Sequence, residues 1–203
     1  MKEIADTSSR KPVLLIVSGP SGSGKDSVIA ALRTLEPEVG YCVSTTTRAP
    51  RPGELEGVHY HFVPREQFEK MAKNDEFLET REYAGNLYGT PKAFVDETLR
   101  SGRDLVMKPE VNGAMRIKQL YPDAVLVFLT VRSEDELQRR LEVRNADGPG
   151  DIAARLETAR LEAKAIKDYD YLIVNDEFDV AVAQLRAILT AEALKVWRSN
   201  ELG

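Results

Sequence analysis

The chain contains one cysteine, two histidines and one tryptophan in 203 residues, and each scarcity excludes something. A lone Cys42 cannot close an internal disulfide, so the fold must rest on packing, and the residue itself reads as core. His59 and His61 point the same way along a strand, but no third ligand lies near them in sequence and a zinc site needs more. The longest apolar runs, Val13 to Val17 and Ala124 to Leu129, fall far short of the ~20 residues that span a bilayer. The opening Met1-Lys2-Glu3-Ile4-Ala5-Asp6 carries acids where a secretory signal has an apolar stretch. A basic excess is missing as well. The 28 lysines and arginines face 33 acids, a formal charge of −5, so the chain is a poor general binder of nucleic acid or anionic membrane. Any anion it takes needs a local basic site. These features point to a soluble cytoplasmic protein, and they leave its oligomeric state open.

Apolar residues make up 42% and charged ones 30%, ordinary values for a globular chain. The length suits one domain, or one domain with an insertion. Val13-Leu14-Leu15-Ile16-Val17 is continuously apolar, as a strand buried on both faces should be. Short apolar segments of the same kind occur at Asp104 to Met107, Ala124 to Leu129 and Tyr171 to Val174. Helical patterns alternate with them at Val111 to Leu120, Glu134 to Val143, Ile152 to Ile166 and Val180 to Val196. That alternation predicts an α/β fold with a parallel-sheet core and right-handed crossovers. Two stretches interrupt it. Residues 38–100 are mixed, with a Thr-rich strand, the Ala49-Pro50-Arg51-Pro52-Gly53 loop, a His59-to-Phe62 strand and a helix after Pro64, and they read as an α+β insertion. Residues 138–168 are charged and helical, with a break at Asp147-Gly148-Pro149-Gly150. The core is then 12–37, 101–137 and 169–203, behind a loose tail at 1–11.

Gly19-Pro20-Ser21-Gly22-Ser23-Gly24-Lys25 has the G-x-x-x-x-G-K spacing of a phosphate-binding loop, and it lies between a strand and a helix as that motif requires. Its glycines let the backbone turn several N–H groups into one concavity. The helix N-terminus adds about half a positive charge there, and Lys25 can reach outer phosphates. A nucleoside triphosphate is the expected occupant. The hydroxyl that normally follows the lysine and holds Mg²⁺ is replaced by Asp26, with Ser27 next. Asp26 either faces the metal through its hydration shell or only favours the helix N-terminus.

Ser44-Thr45-Thr46-Thr47-Arg48-Ala49-Pro50-Arg51-Pro52-Gly53-Glu54 is followed by Gly57-Val58-His59-Tyr60-His61-Phe62, by Phe77-Leu78-Glu79, by Gly85-Asn86-Leu87-Tyr88-Gly89-Thr90 and by Val174-Asn175-Asp176. With the phosphate loop, this ordered set resembles guanylate kinase over residues 12–190. The resemblance implies a P-loop core, an inserted GMP-binding region at 38–100, a helical lid at 138–168, and Mg²⁺-dependent transfer of a phosphoryl group from ATP to GMP. It assigns Gly19, Gly22, Ser23, Gly24, Lys25, Asp26, Ser27, Arg140 and Asn175 to ATP. To GMP it assigns Ser44, Arg48, Arg51, Tyr60, Glu79, Tyr88, Thr90 and Glu110, and to the transfer itself Lys25, Arg48, Arg144 and Arg155, with Asp26 and Ser27 near the metal. The chemistry is apt. Two guanidinium forks grip a phosphate in two-point fashion, and the Glu79 carboxylate suits the N1–H and amine donors of guanine where adenine would present a lone pair.

Taken alone, the arginine pair could equally be a solvated loop, Glu79 a surface glutamate and the 138–168 arginines an ion-laced helix face. The sequence also departs from the family pattern. Lys108 reverses the first acid of the acid-spacer-aspartate segment, Glu110 occupies the second, and Asn145 replaces a glycine. Lys25-Asp26-Ser27 occurs too in sugar-phosphate kinases resembling ribose bisphosphate phosphokinase, and guanylate-kinase-like domains also serve as non-catalytic scaffolds. The Arg48, Arg51, Tyr60, Glu79 and Tyr88 set weighs against the first rival, and the intact Lys25 loop with its lid arginines against the second.

Overall fold

A computed structural model describes residues 10–143 and 149–199. In chain order the elements are β1 (Leu14–Ser18), α1 (Lys25–Leu35), β2 (Gly40–Tyr41), β3 (Thr45–Thr46), β4 (His61–Phe62), α2 (Arg65–Lys73), β5 (Phe77–Tyr83), β6 (Asn86–Pro91), α3 (Lys92–Arg100), β7 (Leu105–Met107), α4 (Val111–Leu120), β8 (Val125–Thr130), α5 (Glu134–Val143), α6 (Pro149–Ala163), β9 (Tyr171–Val174) and α7 (Phe178–Ala193). The core sheet runs β2-β7-β1-β8-β9, with every pairing parallel. Parallel strands need crossovers, and the crossover helices cover both faces. This is why β1 and β8 are apolar without alternation. Leu15 and Val17 face a cluster with Val28, Leu32 and Leu185 from α1 and α7, while Leu14 and Ile16 face one with Val95, Ala114 and Ile117 from α3 and α4.

A second sheet, β4-β3-β6-β5, forms the inserted region. Its scaffold is the β5–β6 hairpin, which turns at Ala84 and Gly85, both with positive φ, and is floored by Phe68 of α2 stacked on Phe77 at 4.5 Å. Gly40–Tyr41 pairs with β7 in the core sheet, although the sequence boundary put it in the insertion. A third cluster, Val131, Leu137, Leu141, Leu156 and Ala159, ties α5 to α6. Among the described residues no helix is long and apolar enough to cross a membrane.

The two ends of the described chain are bound together. Arg10 and Ser199 form an antiparallel bridge, Arg10 is ion-paired with Asp104 at 2.7 Å, and Lys11 N–H donates to Arg198 O at 2.8 Å. Arg198 is 1% exposed and donates to Pro12 O at 2.9 Å and Asp123 O at 2.8 Å, with its guanidinium 4.2 Å from the Trp197 ring centroid. Thus Arg10 and Lys11, which the sequence leaves in the loose tail, take part in a C-terminal clasp. Replacing Arg198 by Ala strips donors from two carbonyls and removes a cation facing buried Glu192, which should cost about 2–4 kcal/mol. The expected result is a lower urea midpoint in Arg198→Ala, with the fluorescence of Trp197, the sole tryptophan, changing at lower urea than the far-ultraviolet circular dichroism.

Candidate active site

The phosphate loop joins the end of β1 to α1, and its glycines are fixed by close approaches. Gly19 has φ 139°, and a Cβ there would lie 2.0 Å from the Leu129 carbonyl oxygen; Gly24 has φ 97°, and a Cβ there would lie 2.4 Å from Asn175 Nδ2. Neither position admits a side chain. The loop is braced from below. Asn175, 5% exposed just past β9, donates from Nδ2 to Ser23 O at 2.8 Å. Arg140 of α5 donates to Asn175 O at 2.8 Å and to Ser23 O at 3.5 Å, and it also binds Glu136 at 2.8 Å. Lys25 Nζ folds onto the loop itself, donating to Gly19 O at 2.6 Å and Pro20 O at 2.8 Å. Burial pulls this ammonium down to about 8. A phosphate would restore its preference for charge. Beside the loop opens a cavity of about 510 Å³ lined by Gly22, Gly24, Ser27, Arg140, Asn175 and Phe178.

The inserted sheet supplies the second half. Arg48 is ion-paired with Glu54 at 2.8 Å, and its guanidinium lies 5.5 Å from the Tyr60 ring centroid and 5.9 Å from that of Phe62. Tyr60 in turn meets Tyr88 edge to face at 6.0 Å. Glu54 also accepts from Arg51 N–H at 2.7 Å, so one carboxylate shapes the loop that carries both arginines. Arg51 is exposed. Glu79 accepts from Thr90 Oγ1 at 2.6 Å, and a Cβ on Gly113 would lie 3.0 Å from its Oε2. Burial raises the Glu79 pKa, against the Thr90 hydrogen bond and the Arg81 charge, which lower it. Glu79 is thus half-buried and hydrogen-bonded. Ser44 is half-buried beside them, its carbonyl accepting from His61 N–H at 2.9 Å. Cys42 lies in the core, its thiol pushed up to about 12 by burial.

The two halves meet across residues 108–110. Lys108 is ion-paired with Asp26 of α1 and lies 5.7 Å from the Tyr60 ring centroid, while Glu110 is ion-paired with Arg81 of β5. Helix α6 also reaches the phosphate loop: Arg155 donates to Ser21 Oγ at 2.7 Å. Arg144 lies outside the described residues, as does Asn145.

A family model described as guanylate kinase matches residues 9–192. The chain belongs to the guanylate kinase family. Curated guanylate kinases of Desulfitobacterium hafniense and Carboxydothermus hydrogenoformans are 42% and 45% identical over 92% and 94% of this chain, and 93% of each relative is covered. The crystal structure of guanylate kinase from Anaplasma phagocytophilum superposes with a TM-score of 0.81 at 32% identity, covering 97% of this chain and 94% of that one. A gluconokinase from Sinorhizobium meliloti shares the fold alone, at a TM-score of 0.51 and 20% identity over 93% of this chain and 97% of that one. Guanylate kinase relatives matched over 93% of their length disfavour both the sugar-phosphate and the scaffold reading.

Sequence reasoning on the guanylate kinase pattern missed Glu54, Arg81 and Glu162. Arg81 follows Glu79 by two residues on a strand, a spacing that places it on the same face, so period-two reading could have found it. Nothing marks Glu162, which looks like any acid on a charged helix. Asp26, expected to face a metal or the helix N-terminus, has Lys108 as its ion-pair partner, and the two departures from the family pattern turn out to be neighbours. Asn175, expected on the adenine side, spends its amide on the loop carbonyl.

Glu162 faces Lys25, Arg81 and Glu110, and burial raises its pKa to about 7. A carboxyl whose folded pKa exceeds its unfolded value costs stability as pH rises from the unfolded value, near 4.3, through about 7. Glu162→Gln should therefore leave Tm unchanged at pH 4 and raise it by a few degrees at pH 8, measured by calorimetry without nucleotide.

Proposed function

We propose the following division of labour for an enzyme that transfers the γ-phosphoryl group of ATP to GMP. The observation that carries it is the 108–110 segment, which touches the phosphate loop through Lys108–Asp26 and the inserted sheet through Lys108–Tyr60 and Glu110–Arg81. A triphosphate on the loop and a monophosphate under Arg48 therefore face each other across one short gap. Loop N–H groups and Lys25 take the ATP phosphates, and the cavity beside Arg140 and Asn175 takes adenine. Arg48, Arg51, Tyr60 and Tyr88 hold the GMP phosphate. Glu79, with Ser44 and Thr90, reads the guanine edge, and Glu110 holds Arg81 against that side.

In the transfer an oxygen of the GMP phosphate forms a new bond to the γ-phosphorus while the bond from that phosphorus to the β–γ bridging oxygen breaks. The bond's electron pair stays on ADP, and the products are ADP and GDP. The acceptor is already ionised near neutral pH, so no general base is needed, and positioning with charge neutralisation supplies the catalysis. Lys25 and Arg48 hold the two ends of the path. Arg155, whose donor already spans the gap between lid and loop at Ser21, closes over the transferring group. Mg²⁺ suits the donor set. Among the described residues no cluster of three or more His, Cys, Asp or Glu side chains could hold a metal unaided, which fits an ion that arrives on phosphate oxygens and keeps much of its water. Asp26 and Ser27, both exposed in the first turn of α1, would hold that water shell, and the ion would neutralise charge on the β and γ oxygens. A single buried cysteine suits a reducing compartment, and we place the enzyme in the cytoplasm.

A coupled assay of ADP formation with GMP, AMP, UMP and ribose 1,5-bisphosphate tests the reading. GMP should be favoured over AMP by on the order of 10⁴ in kcat/KM, and comparable turnover of AMP would overturn the role given to Glu79. Glu79→Gln should lose most of the GMP efficiency while KM for ATP stays nearly constant. Arg155→Ala should lower kcat by about 10² or more with GMP affinity held within a few fold, as expected of a contact made mainly in the transition state; calorimetric titration of GMP supplies the second number.

A further inference from the structure

Lys108 is the least expected side chain in the cleft. It occupies the position where the family pattern has an acid, yet its side chain is only 19% exposed. An ammonium carries three N–H donors. Among the described residues its Nζ has a single hydrogen-bond acceptor, Asp26 Oδ1, and one aromatic face, that of Tyr60. Its other two donors have no acceptor among the described residues. Three other cations or rings define where they are. Lys25 lies close enough to be repelled by Lys108, and Tyr60 is the ring over which the phosphate-side guanidinium of Arg48 also lies. Lys108 thus sits between the cation of the ATP loop and the cation of the GMP loop. Burial works against the charge of Lys108, but the phenol of Tyr41, the Asp26 carboxylate and the phenol of Tyr60 outweigh that cost and hold it in its charged form, so an ammonium with donors to offer stands where the oxygens of a phosphoryl group would pass.

We propose that Lys108 is a further catalytic residue of the transfer, donating to oxygens of the phosphoryl group as it passes between the two nucleotides, with Asp26 as the tether that aims it. The proposal rests on the assignment of the loop to ATP and of the Arg48 region to GMP. It also gives Asp26 a purpose that explains its pairing: the carboxylate holds the lysine in line, and the reversal of charge at position 108 is matched by the acid gained at position 26. Near the phosphates the pair sums to zero charge, but it is oriented, with the ammonium on the Tyr60 side and the carboxylate the more exposed of the two.

The rival role is mere neutralisation, in which Lys108 only cancels the charge of Asp26. The two are separated by Lys108→Met, which keeps the apolar stem, and by Lys108→Gln should the first variant fold poorly. Three measurements decide: kcat against Mg²⁺ concentration, calorimetric affinity for GMP and for ADP singly, and affinity for a bisubstrate probe in which adenosine and guanosine are joined through five phosphates. A phosphoryl contact predicts that kcat at saturating Mg²⁺ falls 30-fold or more and that the bisubstrate probe binds at least 10-fold more weakly, while GMP and ADP singly change less than threefold. Neutralisation alone predicts near-wild-type kcat at saturating Mg²⁺, an unchanged bisubstrate affinity and a lower half-saturating Mg²⁺, because the charge of Asp26 beside the metal is no longer cancelled by the lysine; that outcome overturns the proposal. Failure of wild-type enzyme to bind GMP would instead strike the substrate assignment beneath it.

Discussion

The side-chain amide of Asn175 donates to the carbonyl of Ser23, and Arg140 donates to that carbonyl and to the backbone carbonyl of Asn175. Everything at the cleft depends on that brace. A phosphate-binding loop must keep its N–H groups converged without spending them on the protein, so its rigidity has to come from its carbonyl side. Here the rigidity is borrowed from the end of β9 and from α5. The Leu129 carbonyl closes the same loop from β8, leaving room only for glycine at position 19. Three segments remote in sequence therefore set the shape of seven residues, and a central parallel sheet is the frame that brings their ends to one edge.

Much of this was legible in the residues. Continuous apolar strands, the spacing of Gly19, Gly24 and Lys25, and the ordered set around Arg48, Glu79 and Tyr88 each carry a local physical reason, and local reasons can be read from sequence. The core strands and most helices lie where periodicity put them. Partnerships between distant residues are another matter. That Lys108 answers Asp26, or that Glu54 shapes the loop of Arg48, depends on how the crossovers bring segments together, and no spacing encodes it. The short β2 escaped for a related reason: two residues carry no period, and only their parallel pairing with β7 identifies them. Arg10 looked like tail because its partner, Asp104, is 94 residues away.

Charge is used economically in the cleft. With an overall excess of acids, the chain concentrates Lys25, Arg48, Arg81, Lys108 and Arg155 around one gap and gives most of them an acidic or hydroxyl partner: Arg48 has Glu54, Arg81 has Glu110, Lys108 has Asp26 and Arg155 has Ser21. Such pairing keeps a cationic pocket from repelling itself when no phosphate is present, and it fixes side chains that would otherwise lose entropy on binding. Lys25, turned onto carbonyls of its own loop, meets the same need with neutral acceptors.

The clasp at the other end of the sheet has a topological meaning. Arg10 and Ser199 bridge each other at the edge of the sheet where β1 starts, and the phosphate loop begins where β1 ends. A cross-link between these two positions would close nearly the whole chain into one loop, removing unfolded-chain entropy while leaving the cleft untouched. In a chain cut back to residues 10–199 and joined at that bridge, new ends opened in the exposed turn at Gly102 would yield a permuted chain whose order of elements differs and whose cleft is the same.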